Sequence, residues 1–434
     1  MREEAAAMTS TATVPRLAGD HTLAFLRQGY TFISQHCDAL ATDRFRTRIL
    51  LRPVLCARGS GAARMFYGGN HFTRTQGAMP PTVLRLLQDK GSVQQLDGSA
   101  HRHRKALFID LLMNETATAE ITEAFRDAWR EAMAGWARRP FVVLLDEAYL
   151  ILTRSVCRWM GLPENGRSDP AMARALSDMV EQAGSIGPAV LRALWRRRKV
   201  EHDIARLVTQ IREGRADIAQ DAPVRVIARH RDEAGTPLSV EDATVEILNV
   251  LRPVAAVARY VMFAALALHQ HPQIAVTLAG APRERRIAFA EEVRRLYPFF
   301  PLVGGKVKAP FTWDGHTFDA GDWVLLDLYG TNHDPRRFAD PDVFMLDRAI
   351  SWRDQGFDFI PHGGGDATTD HRCPGEQFTV SIMAEATRLL LDEMSYTVPP
   401  QDLTVALDKM PAKPESGLCI ADVMPHRAAH HPSL

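Results

Sequence analysis

The chain has 434 residues, 46% of them hydrophobic and 24% charged, which places it in the globular range and excludes a disordered or fibrous protein. Lysine plus arginine number 52 and aspartate plus glutamate 52, so no basic excess exists to track a phosphate backbone, and nucleic acid is not expected as a partner. The five cysteines (Cys37, Cys56, Cys157, Cys373, Cys419) are odd in number and lack CxxC spacing, which argues against a disulfide framework or zinc ribbon and for a reducing, cytoplasmic compartment.

Residues 1–20 hold no apolar signal core and read as a flexible tail; residues 21–434 show no linker or internal repeat and read as one catalytic domain. Apolar residues at three and four spacing predict helices over Ser99–Leu112, Ile121–Arg138, Glu147–Met160, Pro170–Gly184 and Ala189–Gly214. The basic run Arg196 to Lys199 on the last of these reads as a solvated face. Further helices are predicted over Ser239–His269, Ala281–Leu296 and Pro374–Asp392. Between the last two, Phe311–Phe318 reads as a hairpin turning at Asp314-Gly315, followed by a strand from Trp323 to Leu328. The expected fold is mainly α with small antiparallel β-sheets. The longest uncharged run, Tyr260 to Pro282, is interrupted from His269 to Gln273, short of the ~20 apolar residues of a span, so no transmembrane segment is expected.

The segment Phe359-Ile-Pro-His-Gly-Gly-Gly-Asp-Ala-Thr-Thr-Asp-His-Arg-Cys-Pro-Gly-Glu376 carries the most chemistry. Three glycines let its backbone approach a flat partner closely. Pro374 is suited to a first helical position, which puts Cys373 at a helix N-terminus, where the dipole and free N–H groups favour thiolate, with His371 and Arg372 adding positive charge. The core His371-Arg-Cys-Pro-Gly375 resembles the haem-binding loop of the cytochrome P450 superfamily. Glu292-Val-Arg-Arg295, followed by Leu-Tyr-Pro298, resembles that superfamily's Glu-x-x-Arg helix, and Phe344-Met-Leu-Asp-Arg348 resembles the segment whose arginine joins the pair. The joint resemblance covers the chain from about Phe32 onward. It implies a cytochrome P450 fold and haem b, with Cys373 as the axial thiolate on iron; an anionic sulfur pushes electron density toward bound oxygen and favours O–O cleavage. It further implies that His101 and Lys105, four residues apart on one helix face, bind the haem propionates, with His371 and Arg74 as further candidates.

Ser239 is a plausible N-cap for the 239–269 helix, with Asp242 at its third position; about 30 residues make it about 45 Å long. Oxygen-using members of the superfamily carry an acid followed by threonine at the centre of such a helix. Here the sequence reads Leu248-Asn-Val-Leu-Arg-Pro-Val-Ala-Ala-Val257, without that pair. Pro253 removes an N–H and should kink the helix, and Arg252 stands in an apolar stretch where a carboxylate is its natural mate. Arg252-Pro253 together with the elongated cysteine loop resembles the bacterial fatty-acid peroxygenases, departing from them at Asp370, where they usually have glycine. That resemblance implies direct use of hydrogen peroxide, no redox partner, and a substrate carboxylate held by Arg252 that does the acid-base work. Gln94, adjoined by Gln95, matches the position where hydroxylating members carry glutamine and alkene-forming ones histidine. The expected activity is hydroxylation of long-chain fatty acids at the α or β carbon, with Arg252, Pro253 and Gln94 around the reaction. Decarboxylation to terminal alkenes, a dioxygen-dependent monooxygenase needing a redox partner, and a haem carrier or sensor without turnover remain the alternatives.

Overall fold

The structure, a computed structural model, describes residues 14–75, 78–88, 91–163, 170–185, 187–348, 350–351, 353 and 356–426. In chain order the first helices are α1 (Thr22–Gln28), α2 (Phe32–Ala39), α3 (Gly59–Tyr67) and the short α4 (Pro81–Val83). They are followed by α5 (Gly98–Leu112), α6 (Glu115–Trp136), α7 (Leu144–Met160), α8 (Pro170–Glu181), α9 (Pro188–Arg212) and α10 (Pro223–Arg229). The last group is α11 (Val240–Ala256), α12 (Ala258–Gln270), α13 (Pro272–Leu278), α14 (Arg283–Leu296), α15 (Leu328–Asn332) and α16 (Glu376–Arg388). The strands are β1 (Arg44–Ile49), β2 (Arg52–Ala57), β3 (Phe72–Thr73), β4 (Phe141–Val143), β5 (Leu302–Val307), β6 (Phe311–Trp313), β7 (His316–Phe318), β8 (Trp323–Asp327), β9 (Met394–Thr397) and β10 (Cys419–Pro425).

Local chemistry accounts for the predicted elements. Ile121, Phe125, Ala128, Trp129, Met133 and Trp136 form one buried stripe of α6, and Asn114 caps it by accepting from the Ala117 N–H at 2.7 Å, which starts the helix six residues before the apolar pattern does. Ser239 caps α11 as expected, accepting from the Asp242 N–H at 2.9 Å. The hairpin β6–β7 turns on Asp314 and Gly315, with φ of 46° and 71°, as a two-residue primed turn requires.

The central helix is buried at every position from Ala243 to Leu268 except Pro253. It is interrupted at Val257, one turn after the proline that lacks an N–H: Val257 bonds back only three residues, to Val254, and regular bonding resumes with Val261 to Val257. The 31-residue helical stretch from Val240 to Gln270 is long and apolar enough to cross a membrane, but 94% of its most apolar 18-residue window lies inside the protein, and the stretch packs on α7, α8, α9 and α16.

Three expectations need correction. The main sheet has the order β1-β2-β8-β5-β3 and is mixed, because β2 and β8 run parallel, which the long crossover between residues 57 and 323 permits. Residues 14–20, expected within a flexible tail, are laid along β1: Leu17 N–H donates to Arg46 O and Arg46 N–H to Pro15 O, both at 2.8 Å. Residues 1–13 lie outside the described residues. The basic run on α9 is not uniformly solvated, since Arg197 is fully buried and donates to Leu86 O at 3.1 Å and Glu201 at 2.7 Å, while Arg196 pairs with Asp178.

One charge cluster pins α14 to the segment 332–348. Arg295 grips Glu292 through two bonds of 2.8 Å and donates to the carbonyls of Asn332, Pro341 and Val343; Arg348 lies 3.3 Å from the same carboxylate, and Met345 N–H donates to it at 3.0 Å. These are the Glu292, Arg295 and Arg348 singled out from sequence. Removing one member of a buried pair leaves an uncompensated charge. Glu292→Ala should therefore lower stability by about 3–5 kcal/mol, read from urea unfolding, whereas a loss under about 1 kcal/mol would show the cluster to be dispensable.

Candidate active site

The cysteine loop lies between Tyr67 of α3 and the start of α16. Gly363 and Gly365 adopt φ near +90°, and a Cβ on Gly364 would approach Tyr67 Cδ2 to 3.0 Å and Gly356 O to 3.1 Å, so the glycines are required by close packing. The Cys373 N–H donates to His362 O at 3.1 Å. The helix begins at Glu376 and not at Pro374, so Cys373 lies ahead of the helix proper, and its sulfur receives the Gly375 N–H. Burial pushes the thiol pKa up and the Glu376 charge pushes the same way; the Gly375 N–H, Lys105 and Arg294 oppose them without prevailing. The polypeptide alone therefore favours the thiol, and a metal cation at sulfur is what would deprotonate it outright.

Beneath the cysteine lies a network the sequence reading missed. Glu376, fully buried, accepts from Arg372 Nε at 2.8 Å and from Arg294, which also pairs with Glu291 and contacts His362 Nδ1 at 2.9 Å. Its signal was the doubled Glu291-Glu292-Val-Arg294-Arg295 pattern: two overlapping i, i+3 pairs, one serving Arg348 and the other the cysteine loop.

The four cationic candidates for the haem edge converge. Arg74, His101 and His371 line one cavity with Tyr67, Asp97 and Asp370. The His101 and His371 rings stand 4.1 Å apart, and Arg74 bonds the Tyr67 hydroxyl. Burial, then Lys105 and Arg74, push His101 down to about 4, and burial and the same cations push His371 well below its ordinary value. Lys105, pushed down to about 8 chiefly by burial, directs Nζ to the carbonyls of Asp370 and Arg372, the latter at 3.0 Å, and so clamps the loop behind the cysteine. Basic groups that lower one another's pKa in this way would be relieved by a dianionic edge such as the two haem propionates. Asp370, the departure from the family pattern, accepts from the Asp366 N–H at 2.8 Å and lies across Gly365, stapling the extended loop without touching the ligand turn.

Between Ala243 and Leu268 of the central helix, Pro253 is the one exposed residue. Next to it, Arg252 is 3% exposed and donates to Leu86 O at 3.2 Å, to Leu87 O and to Asn249 Oδ1 at 2.8 Å. Asn249 in turn donates to Glu246 at 2.8 Å, and Glu246 also accepts from Arg104 of α5 at 2.8 Å and from the Val93 N–H at 2.9 Å. Glu246 is fully buried and was missed, although the rule that singled out Arg252, a charge in an apolar stretch, applies to it equally. The Val93–Gln95 turn that Glu246 holds carries Gln94, whose Oε1 is buried with no hydrogen-bond partner among the described residues.

A cysteine at the end of a glycine loop and a nearby cavity lined by Arg74, His101 and His371 fit haem. The family model described as Cytochrome P450 matches residues 288–417. Over its whole length the chain is similar to solved structures of cytochrome P450SP alpha (39% identity, 94% of this chain and 100% of that one, TM-score 0.89). It is likewise similar to cytochrome P450EX alpha with myristic acid (36%, 95% and 99%, TM-score 0.89) and to cytochrome P450 OleT with arachidonic acid (31%, 96% and 99%, TM-score 0.90). The chain belongs to the cytochrome P450 superfamily. Its full-length neighbours support the fatty-acid peroxygenase branch named from sequence, and the P450 is an oxidoreductase with haem held by a cysteine thiolate. Among curated relatives, human cytochrome P450 4A11 is 30% identical over 130 residues, 30% of this chain and 24% of that protein, so the match spans about a quarter of the relative's length.

Cys373→Ala tests the ligand. The reduced carbon monoxide complex of the wild type should show the red-shifted Soret band of thiolate-bound haem and the variant should lose it; an unchanged spectrum would eliminate Cys373.

Proposed function

We propose that this P450 hydroxylates long-chain fatty acids at the α or β carbon with hydrogen peroxide, needing no redox partner. The observation that carries the reading is Arg252: a guanidinium inside the core helix, beside the open Pro253, where a protein proton donor would otherwise stand. The carbonyls of Leu86 and Leu87 and the Asn249 amide oxygen orient its fork. A fatty-acid carboxylate is the planar anion that matches such a fork through charge-assisted bonds. The solved neighbours with myristic and arachidonic acid support this substrate class.

The balance is R–H + H₂O₂ → R–OH + H₂O. Haem ligated by Cys373, when bound, supplies the two-electron chemistry that breaks the O–O bond and oxidises the C–H bond. Arg252 fixes the carboxylate, which leaves the α and β carbons as the parts of the chain closest to the reacting centre. An oxygen of that carboxylate takes a proton from one peroxide oxygen and returns it to the other, which leaves as water. Arg74, His101 and His371 hold the propionate edge, and Pro253 keeps the helix surface open. Gln94 offers an acceptor and an amide donor but no titrating group, which favours hydroxylation over decarboxylation. The odd number and the spacing of the five cysteines support a reducing cytoplasmic compartment.

Hydrogen bonds to a charged partner contribute about 1.5–3 kcal/mol each, so Arg252→Ala should weaken fatty-acid binding at least tenfold and reduce peroxide-driven turnover further, because the proton carrier is lost with the anchor. Lysine should rescue poorly, and in the wild type a short carboxylic acid should restore oxidation of styrene, a carboxyl-free substrate. Normal fatty-acid turnover in the alanine variant, or dependence on NADPH and a reductase, would return the dioxygen reading. Products separate the two outcomes within the branch: wild type should yield mainly hydroxy acids, and Gln94→His should raise the alkene fraction with haem content unchanged. A wild type that already makes mostly alkene would remove Gln94 as the determinant.

A further inference from the structure

The turn joining β1 to β2 has two central residues, Leu50 and Leu51, between the paired Ile49 and Arg52. Both have positive φ, 53° and 61°. A two-residue turn of this type is the setting in which Asn-Gly is preferred, because leucine is strained in the left-handed region. The strained turn is held by its neighbours: Leu50 N–H donates to Thr22 Oγ1 and Leu51 N–H to Asp20 Oδ2, both at 2.6 Å. Those bonds bring the hairpin tip against the first turn of α1, where Leu23 and Leu26 stand one turn apart. All four leucines face solvent, at 67% (Leu23), 43% (Leu26), 54% (Leu50) and 79% (Leu51).

The charges around this patch have one sign. Arg16, Arg27, Arg46, Arg48 and Arg52 are exposed on the same two segments, against a single exposed acid, Asp20, whose two oxygens accept from Leu51 and Thr22. In a chain with no net charge this is a local concentration, and a cluster of leucines rimmed by arginines matches the chemistry of an anionic membrane surface: apolar side chains for the acyl boundary, guanidinium groups for the phosphates. An acidic protein would use the arginines without needing leucines at a strained tip, and a second copy would bring its own arginines against these. We propose that α1 and the β1–β2 tip form a docking surface for anionic phospholipid bilayers, and that Leu50 and Leu51 are held in their strained turn to present apolar anchors there. The assignment stands independently of the fatty-acid reading of the haem pocket.

The test is flotation of the holoenzyme with vesicles of phosphatidylglycerol and phosphatidylcholine in equal parts, against vesicles of phosphatidylcholine alone. The wild type should float with the anionic vesicles, at least tenfold less with neutral ones, and should be released by 1 M salt. The double variant Leu50→Asn, Leu51→Gly supplies the residues the turn prefers, so it should melt no lower than wild type, keep its haem content, and bind anionic vesicles at least tenfold more weakly. Leu23→Ser with Leu26→Ser should act in the same direction. A wild type that stays at the bottom of the gradient, equal binding to neutral vesicles, or a well-folded double variant that floats like wild type overturns the proposal. So does a dimer in size-exclusion chromatography that the same substitutions dissolve, since the patch would then be covered by a second copy.

Discussion

Glu376 and Arg294 meet where neither has contact with solvent, and the position of the cysteine depends on that meeting. An isolated charge there would be too costly to keep, so each is satisfied several times: the carboxylate by Arg294 and Arg372, the guanidinium by Glu376, Glu291 and His362. The partners come from α14, α16 and the residue next to Cys373, so satisfying the charges fixes the angle at which the loop leaves the helix. Such a cluster adds little net stability over a well-packed apolar one; its effect is to favour an arrangement in which each charge meets an opposite one. The parallel cluster of Glu292, Arg295 and Arg348 fixes the other side of α14 in the same manner.

Along α11 the same logic operates with a different end. Glu246, Asn249 and Arg252 lie at three-residue intervals along α11 and hydrogen-bond in series, so the first carboxylate dictates which way the Asn249 amide points and therefore where its oxygen meets Arg252. Glu246 is consumed by Arg104, Val93 and Asn249, and these bonds oppose the upward push of burial on its pKa. It is a structural acid, spatially committed to α5 and the Gln94 turn, and does not replace the missing acid of the oxygen-using enzymes. The series ends at Arg252, whose guanidinium the Asn249 oxygen helps to orient.

How much of this was legible in sequence follows from the range of each interaction. The Asp314-Gly315 turn, the Ser239 cap and the apolar stripe of α6 are local, and their residues announced them. Cys373, Arg252, Glu292 and Arg348 were legible because each sits in a dense motif. Glu376 was not, since an acid one turn from an arginine is ordinary until the fold buries it, whereas Glu246, a charge in an apolar stretch, carried the same signal as Arg252 and was passed over. The parallel pairing of β2 with β8 joins residues more than 260 positions apart, and no periodicity within either strand encodes direction. The start of α16 was misplaced because Pro374 suits a first helical position in general, while here Pro374 and Gly375 turn the chain so that the Gly375 N–H reaches sulfur.

Leu86 connects Arg252 to the outer part of the molecule. Its carbonyl accepts from Arg252 of α11 at 3.2 Å and from Arg197 of α9 at 3.1 Å, two arginines sharing one acceptor. Arg197 is in turn held by Glu201, which also lies 3.4 Å from Arg85. A displacement of α9 therefore draws on the same carbonyl that orients the Arg252 fork, and the helix whose outer face carries Arg198 and Lys199 is mechanically joined to Arg252. The backbone of residues 84–87 is thereby bonded to both α9 and α11, and the direction of the Arg252 fork is set jointly by those two helices and the segment between them.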